Sequence, residues 1–284
     1  MRYEIRELDI GGILDQAIKL SKDHFWLFLK ISAVLLLPFA IITGLVTLSQ
    51  MPDVPTVAEP RMFTPSAQNG LPPGLLTTIA ISGLINLLLI IPLTDAALVY
   101  AIASCYLDKP IGVSAAFSRA LRILFPLIGT WILMGLAIGA PIIVAMIAGV
   151  VVGPAGFLLM IPCAIISLVC AYWFMLSSKV VVIEGTAGTR ALNRSKNLIK
   201  GNFGTVFALG IVVGIISWMV NWSPKLIPQA ELRVVVAAIL QAVLSFFAAA
   251  AWVVFYFSCR CKHENFDLTV LADSVAAEDA PAAE

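Results

Sequence analysis

Six long apolar stretches, separated by shorter polar or charged segments, dominate the pattern of this chain. Each contains about 20 residues or more, which is the length that an α-helix needs to cross roughly 30 Å of hydrocarbon. The pattern predicts an all-α integral membrane protein with six transmembrane helices, at residues 25–49, 75–98, 125–152, 156–177, 203–222 and 234–258. No room for a soluble catalytic domain remains between them.

Three shorter segments that precede the odd-numbered spans have a different, amphipathic pattern. Residues 12–24, 114–124 and 189–201 each place an alanine and an apolar residue on one side and polar or basic residues on the other. A helix of this kind typically lies in the lipid headgroup plane. We therefore expect about three amphipathic interfacial helices on the cytoplasmic side. Their likeness suggests a threefold hairpin pseudo-repeat about an axis along the membrane normal, although unrelated amphipathic helices can share such a pattern.

The segments outside the spans have loop-like compositions. Residues 50–74 contain six prolines, which predicts an extended loop on the outer side. Residues 272–284 consist mainly of Ala, Asp, Glu and Pro, a composition typical of disorder. We therefore divide the chain into one transmembrane domain, residues 1–271, and a disordered acidic tail, residues 272–284.

Composition and charge support a membrane location and give it a direction. Hydrophobic residues make up 60% of the chain and charged residues only 12%, whereas soluble domains have about 25% charged residues. If the N-terminus is cytoplasmic, 15 of the 18 Lys and Arg residues fall on the cytoplasmic side and only Arg61, Lys225 and Arg233 on the other. This bias follows the positive-inside rule. It predicts a multi-pass protein of the cell (inner) membrane with both termini in the cytoplasm.

Few residues inside the spans are chemically active. Charged side chains in a membrane cost at least about 2.5–3.5 kcal/mol each on insertion scales. Asp95 and Lys30 both lie near the cytoplasmic boundary, which suggests an ion pair between the first two spans; the alternative is a substrate or proton site. Asn86 and Gln241 lie deeper, as helix-linking amides or as the lining of a ligand or ion pathway.

The sequence gives no sign of an enzyme. It contains no nucleophile–base arrangement, no phosphate-binding glycine loop and no zinc-protease motif. Cys259, Cys261 and His263 do not form the spaced ligand pairs of a structural zinc site. We expect no metal, no cofactor and no catalytic residue, and the net charge of +1 gives no indication of nucleic acid binding.

One group of short motifs resembles a known family. The motifs are Ile161 and Pro162, Trp173, residues 180–185 (VVVIEG), residues 191–195 (ALNRS) and residues 198–201 (LIKG), with residues 11–17 at the start and Tyr256 to Arg260, Glu264 and 266–268 at the end. They resemble the membrane domain associated with some glycerophosphodiester phosphodiesterases, and related uncharacterised six-span bacterial inner-membrane proteins. The resemblance implies an all-helical fold in a bacterial or archaeal cell membrane. It does not imply the phosphodiesterase reaction, which belongs to a separate soluble domain.

The most distinctive of these motifs contains charged residues with two possible roles. Glu184 is expected to pair with Arg194 or Arg190 and to fix the third amphipathic helix against the spans. Arg194, Lys196 and Lys200 are candidates for binding lipid headgroups, at about 1 kcal/mol per basic residue near an anionic leaflet. The simpler alternative is that these charges only set the topology.

Two functions follow from these expectations. The first is a non-enzymatic protein that acts in lipid or envelope organisation, or as the membrane partner of another protein or of itself. The second is a small solute transporter or lipid translocator that uses the kinked spans around Asp95 and Asn86. A water-accessible cavity that reaches both residues favours the second, and a tightly packed bundle favours the first.

Overall fold

The computed structural model describes residues 3–50 and 73–269, which form ten α-helices and, within these ranges, no strand. The helices are α1 (Ile10–Asp23), α2 (Phe25–Ser49), α3 (Pro73–Ile85), α4 (Ile91–Tyr106), α5 (Val113–Val152), α6 (Met160–Phe174), α7 (Ser177–Glu184), α8 (Thr189–Ile199), α9 (Phe203–Trp222) and α10 (Ala230–Glu264). A π-helical segment, Asn86–Ile90, joins α3 to α4, and 3₁₀ turns at Pro154–Leu159 and Ser223–Leu226 precede α6 and α10. The predicted proline-rich loop (except its ends) and the predicted acidic tail lie outside the described residues.

Six helical segments among the described residues are long and apolar enough to cross a membrane, which confirms the predicted fold class. They are Phe25–Ser49, Gly74–Tyr106, Val113–Val151, Gly156–Glu184, Phe203–Leu226 and Ala230–Glu264. Two predicted spans match α2 and α9 residue for residue. The other four are longer than predicted, because the helical segments continue beyond the apolar stretches, for example through Arg119 and Arg122 in the third span and Lys262 and His263 in the sixth.

The end of the bundle that carries the N-terminal segment is here called the basic end, because the side of the N-terminus holds 15 of the 18 Lys and Arg residues. Leu8 N donates to Ser258 Oγ at 2.9 Å, and Tyr106 Oη donates to the Glu4 carbonyl at 2.7 Å. The start of the chain is thus bound to the ends of α4 and α10. The other end of the bundle is called the opposite end.

Most of the buried core lies toward the basic end. Buried side chains follow one another along α4 from Pro92 to Tyr106 and along α10 from Phe246 to Cys261. Toward the opposite end the helices expose large apolar side chains such as Leu84, Val150 and Trp218. The six spans are therefore tightly packed over only part of their length, and the rest offers an apolar surface suited to acyl chains.

The amphipathic segments differ from expectation in two respects. Residues 114–124 do not form a separate helix, because the apolar stripe of Ala116, Ala120, Ile123 and Leu127 continues without a break into the span and makes α5 a single 40-residue helix. In α1 and α8, which are separate, the apolar stripes are buried against the other helices. These helices cap the basic end of the bundle and do not insert their apolar faces into lipid.

A π-helical segment interrupts the second span at Asn86. Pro92 follows this segment closely and has no N–H for the helical ladder, and the chain accommodates it with wider turns over residues 86–90. Single π-helical turns occur frequently at functional sites. The segment positions Asn86 at the edge of a cleft described below.

Candidate functional site

Five polar side chains join α7, α8 and α10 at the basic end and are here called the clamp. Glu184 accepts hydrogen bonds from Tyr256 Oη at 2.6 Å and from Arg194 Nε at 3.0 and 3.1 Å. Arg194 also pairs with Glu264, which receives a second hydrogen bond from Arg260 Nε at 3.0 Å. The expected contact of Glu184 is thus with Arg194 and not with Arg190. Both carboxylates are neutralised by arginine, so the clamp fixes the third amphipathic helix against the spans.

Neighbouring residues of α8 strengthen this attachment. The pKa of Arg194 is raised above its usual value, mainly by the hydrogen bond to Glu264. Burial opposes this rise, and Glu184 contributes to it. Ser195 Oγ donates to the Trp173 carbonyl at 2.7 Å and accepts from Leu176 N at 3.2 Å. The ammonium group of Lys196 lies 3.9 Å from the centre of the Trp173 ring. α8 is therefore held on its basic side as well as on its apolar side.

Other basic residues at the same end face outward. Arg190 of α8, Lys200 directly after α8 and Arg122 of α5 are exposed. None of them has an ion-pair partner within residues 3–50 and 73–269. The candidate headgroup residues therefore divide into two groups. Arg194 and Lys196 are engaged by protein groups, while Arg190 and Lys200 are free to bind something outside the chain.

Asp95 has a different partner from the one expected. Its Oδ1 lies 3.4 Å from Lys179 Nζ, and both side chains are largely buried. Lys179 also donates to Ser178 Oγ at 3.0 Å. Lys30 is exposed, so the expected Lys30–Asp95 pair is wrong. The helix α7 brings Lys179 against α4, and the lysine on the first span faces away from the core.

A cleft toward the opposite end brings Asn86 and Gln241 together. It has a volume of about 1040 Å³ and lies between α2, α3 and α10. Its polar lining residues are Thr43, Thr47, Ser82, Asn86, Asn221, Arg233 and Gln241. Asp95 and Lys30 do not line it, so the four residues proposed for one pathway lie in separate places.

The clamp, the outward basic residues and the cleft belong to a chain that matches one known family. The model of a domain of unknown function, DUF8558, matches residues 75–279. The chain belongs to the DUF8558 family. No curated protein and no solved structure matches it. The family description assigns no activity, so the resemblance to the membrane domain of glycerophosphodiester phosphodiesterases stays a prediction.

Several residues of the DUF8558 chain acquire a role only from the structure. Tyr256, Arg260 and Glu264 belong to the short motifs that carry the resemblance, but nothing in their spacing indicates that they contact α7 and α8. Lys179 looks like a topology-setting charge at the end of the fourth span. Its one distinguishing signal is its position directly before the apolar run Val180 to Ile183, which favours burial.

Proposed function

We propose that this protein is a non-enzymatic, multi-pass protein of the cell (inner) membrane that binds anionic lipid headgroups at its basic end. In this proposal the basic end and both termini face the cytoplasm, in accordance with the positive-inside rule. The role that this binding serves is the organisation of lipid or of proteins that reside in the same leaflet.

One observation carries the proposal. Four acidic side chains at the basic end are engaged inside the protein: Glu184 and Glu264 by arginines, Asp95 by Lys179 and Glu7 by Lys262 at 2.7 Å. The exposed Arg122, Arg190 and Lys200 are thus left without internal neutralisation. Each basic residue near an anionic leaflet contributes about 1 kcal/mol of attraction, and none of this attraction is offset by a paired carboxylate.

The test compares lipid selectivity of three chains in bilayers of phosphatidylcholine with a minor fraction of spin-labelled phosphatidylglycerol. We expect the combined variant Arg122→Gln, Arg190→Gln and Lys200→Gln to lose most of the preference for phosphatidylglycerol, by about fivefold for each charge that contacts a headgroup. Added salt should weaken the preference of the unmodified chain. The matched control, Asn193→Ala with Asn197→Ala, alters the exposed face of α8 without changing its charge.

An unchanged preference in the triple variant would refute the proposal. Loss of the preference in the control as well would show that the shape of α8, and not its charge, selects the lipid.

The second candidate, a small transporter or lipid translocator, is favoured by one observation, the cleft that contains Asn86 and Gln241. The cleft does not reach Asp95, the charged residue around which that mechanism was expected. A ligand site confined to this half of the membrane is the part of the second candidate that the geometry supports.

A further inference from the structure

The cleft toward the opposite end has the electrostatic character of an anion site. Arg233 is the only charged side chain among the described residues that line it. Arg233 has no ion-pair partner within residues 3–50 and 73–269. Arg233 is the fourth residue of α10, so it lies near the opposite end of the bundle, and its positive charge in an otherwise uncharged cleft favours an anionic occupant.

Two helix contacts set the depth of the polar groups in the cleft. Gln50 Nε2 donates to Thr78 Oγ1 at 3.0 Å, which aligns the ends of α2 and α3. Asn86 lies eight residues beyond Thr78, about 12 Å deeper at 1.5 Å per residue. Val234 packs directly on Gly44, since a Cβ added to Gly44 would lie 2.5 Å from the Val234 side chain. Gly44 comes six residues before Gln50 in α2 and therefore lies about 9 Å deeper. Arg233, next to Val234, and Asn86 therefore lie within about one helical turn of each other in depth.

The hydrogen-bonding needs of the lining residues differ. Thr43, Thr47, Ser82 and Asn221 each donate to a carbonyl of their own helix. Asn86 Oδ1 is a buried acceptor without a hydrogen-bond donor. A buried polar atom in this state costs on the order of 1–3 kcal/mol. Because Asn86 lines the cleft, a rotation of its amide would bring Oδ1 within reach of a hydroxyl group on an occupant whose anionic group meets Arg233.

We propose that the cleft binds one anionic phospholipid whose headgroup also carries a hydroxyl group. The phosphate is held by Arg233, and the hydroxyl donates to Asn86 Oδ1 once the amide has rotated toward the cleft. The acyl chains lie on the apolar remainder of the cleft, which includes Leu36, Phe39 and Ile91. The cleft volume of about 1040 Å³ is slightly above the range of about 300–1,000 Å³ for small-molecule sites, which leaves room for part of a lipid. This site lies at the other end of the bundle from the basic residues of the proposed function and does not depend on them.

The experiment measures lipid retained by the purified protein with native mass spectrometry, after reconstitution in phosphatidylcholine with a minor fraction of phosphatidylglycerol. Gly83 lines the cleft and an added Cβ there meets no atom within 4 Å, so Gly83→Leu fills the cleft without a clash at Cβ. Gly135→Leu is the matched control, because Gly135 of α5 has equally open surroundings and does not line the cleft.

We expect the unmodified chain and Gly135→Leu to retain one tightly bound phosphatidylglycerol in preference to phosphatidylcholine. Gly83→Leu should abolish its retention. Arg233→Gln, which keeps the size of the cleft, should reduce the retention about fivefold or more, as expected for a lost contact of about 1 kcal/mol or stronger. Asn86→Leu should reduce it as well. Arg233→Gln keeps the proposal testable if Gly83→Leu fails to fold.

Three outcomes would overturn the proposal. One is equal retention of phosphatidylcholine and phosphatidylglycerol. Another is retention that neither Arg233→Gln nor Gly83→Leu changes. The third is no retained lipid, which includes a cleft covered by a second copy of the chain. The triple variant of Arg122, Arg190 and Lys200 should keep this lipid, so failure here and failure of the proposed function are distinguishable.

Discussion

At the scale of single residues, the placement of charge in a low-dielectric surrounding decides which side chains are paired. Asp95 is neutralised by Lys179, whose side chain is 10% exposed, and not by Lys30, which faces outward. A lysine that reaches headgroups keeps its charge solvated, so Lys30 needs no partner. A buried ammonium group does need one, and Asp95 is its ion-pair partner.

The Asp95–Lys179 pair gives a test with a matched control. Asp95→Asn leaves the largely buried Lys179 without a counter-ion, so we expect a loss of stability on the order of 3 kcal/mol. Lys30→Gln should change stability little, because Lys30 is exposed. Unfolding in detergent followed by tryptophan fluorescence measures both. A greater loss for Lys30→Gln than for Asp95→Asn would support the pairing that the structure contradicts. The exchanged variant Asp95→Lys with Lys179→Asp should be more stable than either single exchange.

At the scale of helices, the amphipathic segments join the spans into one body at the basic end. Ala17, Ala116 and Ala191, which occupy the same place in the shared pattern of the three similar segments, are all fully buried. Small residues at these positions let α1, the start of α5 and α8 approach the spans closely. The threefold pseudo-repeat stays a prediction, but these three alanines are equally buried.

The clamp makes the attachment of α8 measurable by hydrogen exchange. Arg194→Gln removes the hydrogen bonds to Glu184 and Glu264, so we expect faster amide exchange throughout α8, by about tenfold or more for an opening free energy lowered by at least 1.4 kcal/mol. Arg190→Gln is the matched control, because Arg190 lies on the same helix, is exposed and has no partner in the described part of the chain. Exchange rates that are the same in the two variants would show that the clamp does not hold α8.

At the scale of the whole molecule, the two ends of the bundle differ in charge and in packing. The basic end combines the clamp, the Asp95–Lys179 pair and most of the buried core. The opposite end is more open, with the cleft and with exposed Trp218 and Trp222. Exposed Trp26 lies at the basic end of α2. Tryptophans near both ends of the spans are typical of the two membrane–water interfaces.

The proposed orientation is tested by labelling single introduced cysteines with a membrane-impermeant maleimide. Lys225→Cys at the opposite end should react in intact cells. Arg190→Cys at the basic end should react only after permeabilisation, because fewer basic residues are translocated in this orientation. Both side chains are exposed, so accessibility within the protein does not bias the comparison. The chain without an added cysteine gives the background from its five native thiols. Labelling of both positions from the same side would contradict six spans with this topology.

The sequence by itself determined that the apolar segments lie in a bilayer, that the fold is helical and that there are six spans. Apolar stretches of about 20 residues or more have one stable arrangement in a bilayer, with every backbone hydrogen bond closed within the helix. Local pattern also indicated that Glu184 pairs with Arg194 or Arg190, since these residues are separated from it by ten positions or fewer and a glycine turn. These conclusions depend on interactions within a segment, which the order of residues fixes directly.

Only the tertiary structure decided which faces meet and which charges are neutralised. Lys179 reaches Asp95 across 84 residues and Tyr256 reaches Glu184 across 72. The apolar stripe of α8 has the same pattern whether it covers lipid or protein, and its burial against the spans depends on helices that are distant in sequence. The cleft lies between α2, α3 and α10, and α2 and α10 meet closely at Gly44 and Val234 within it. Such spaces are set by the three-dimensional arrangement of several helices, to which no single segment of the sequence corresponds.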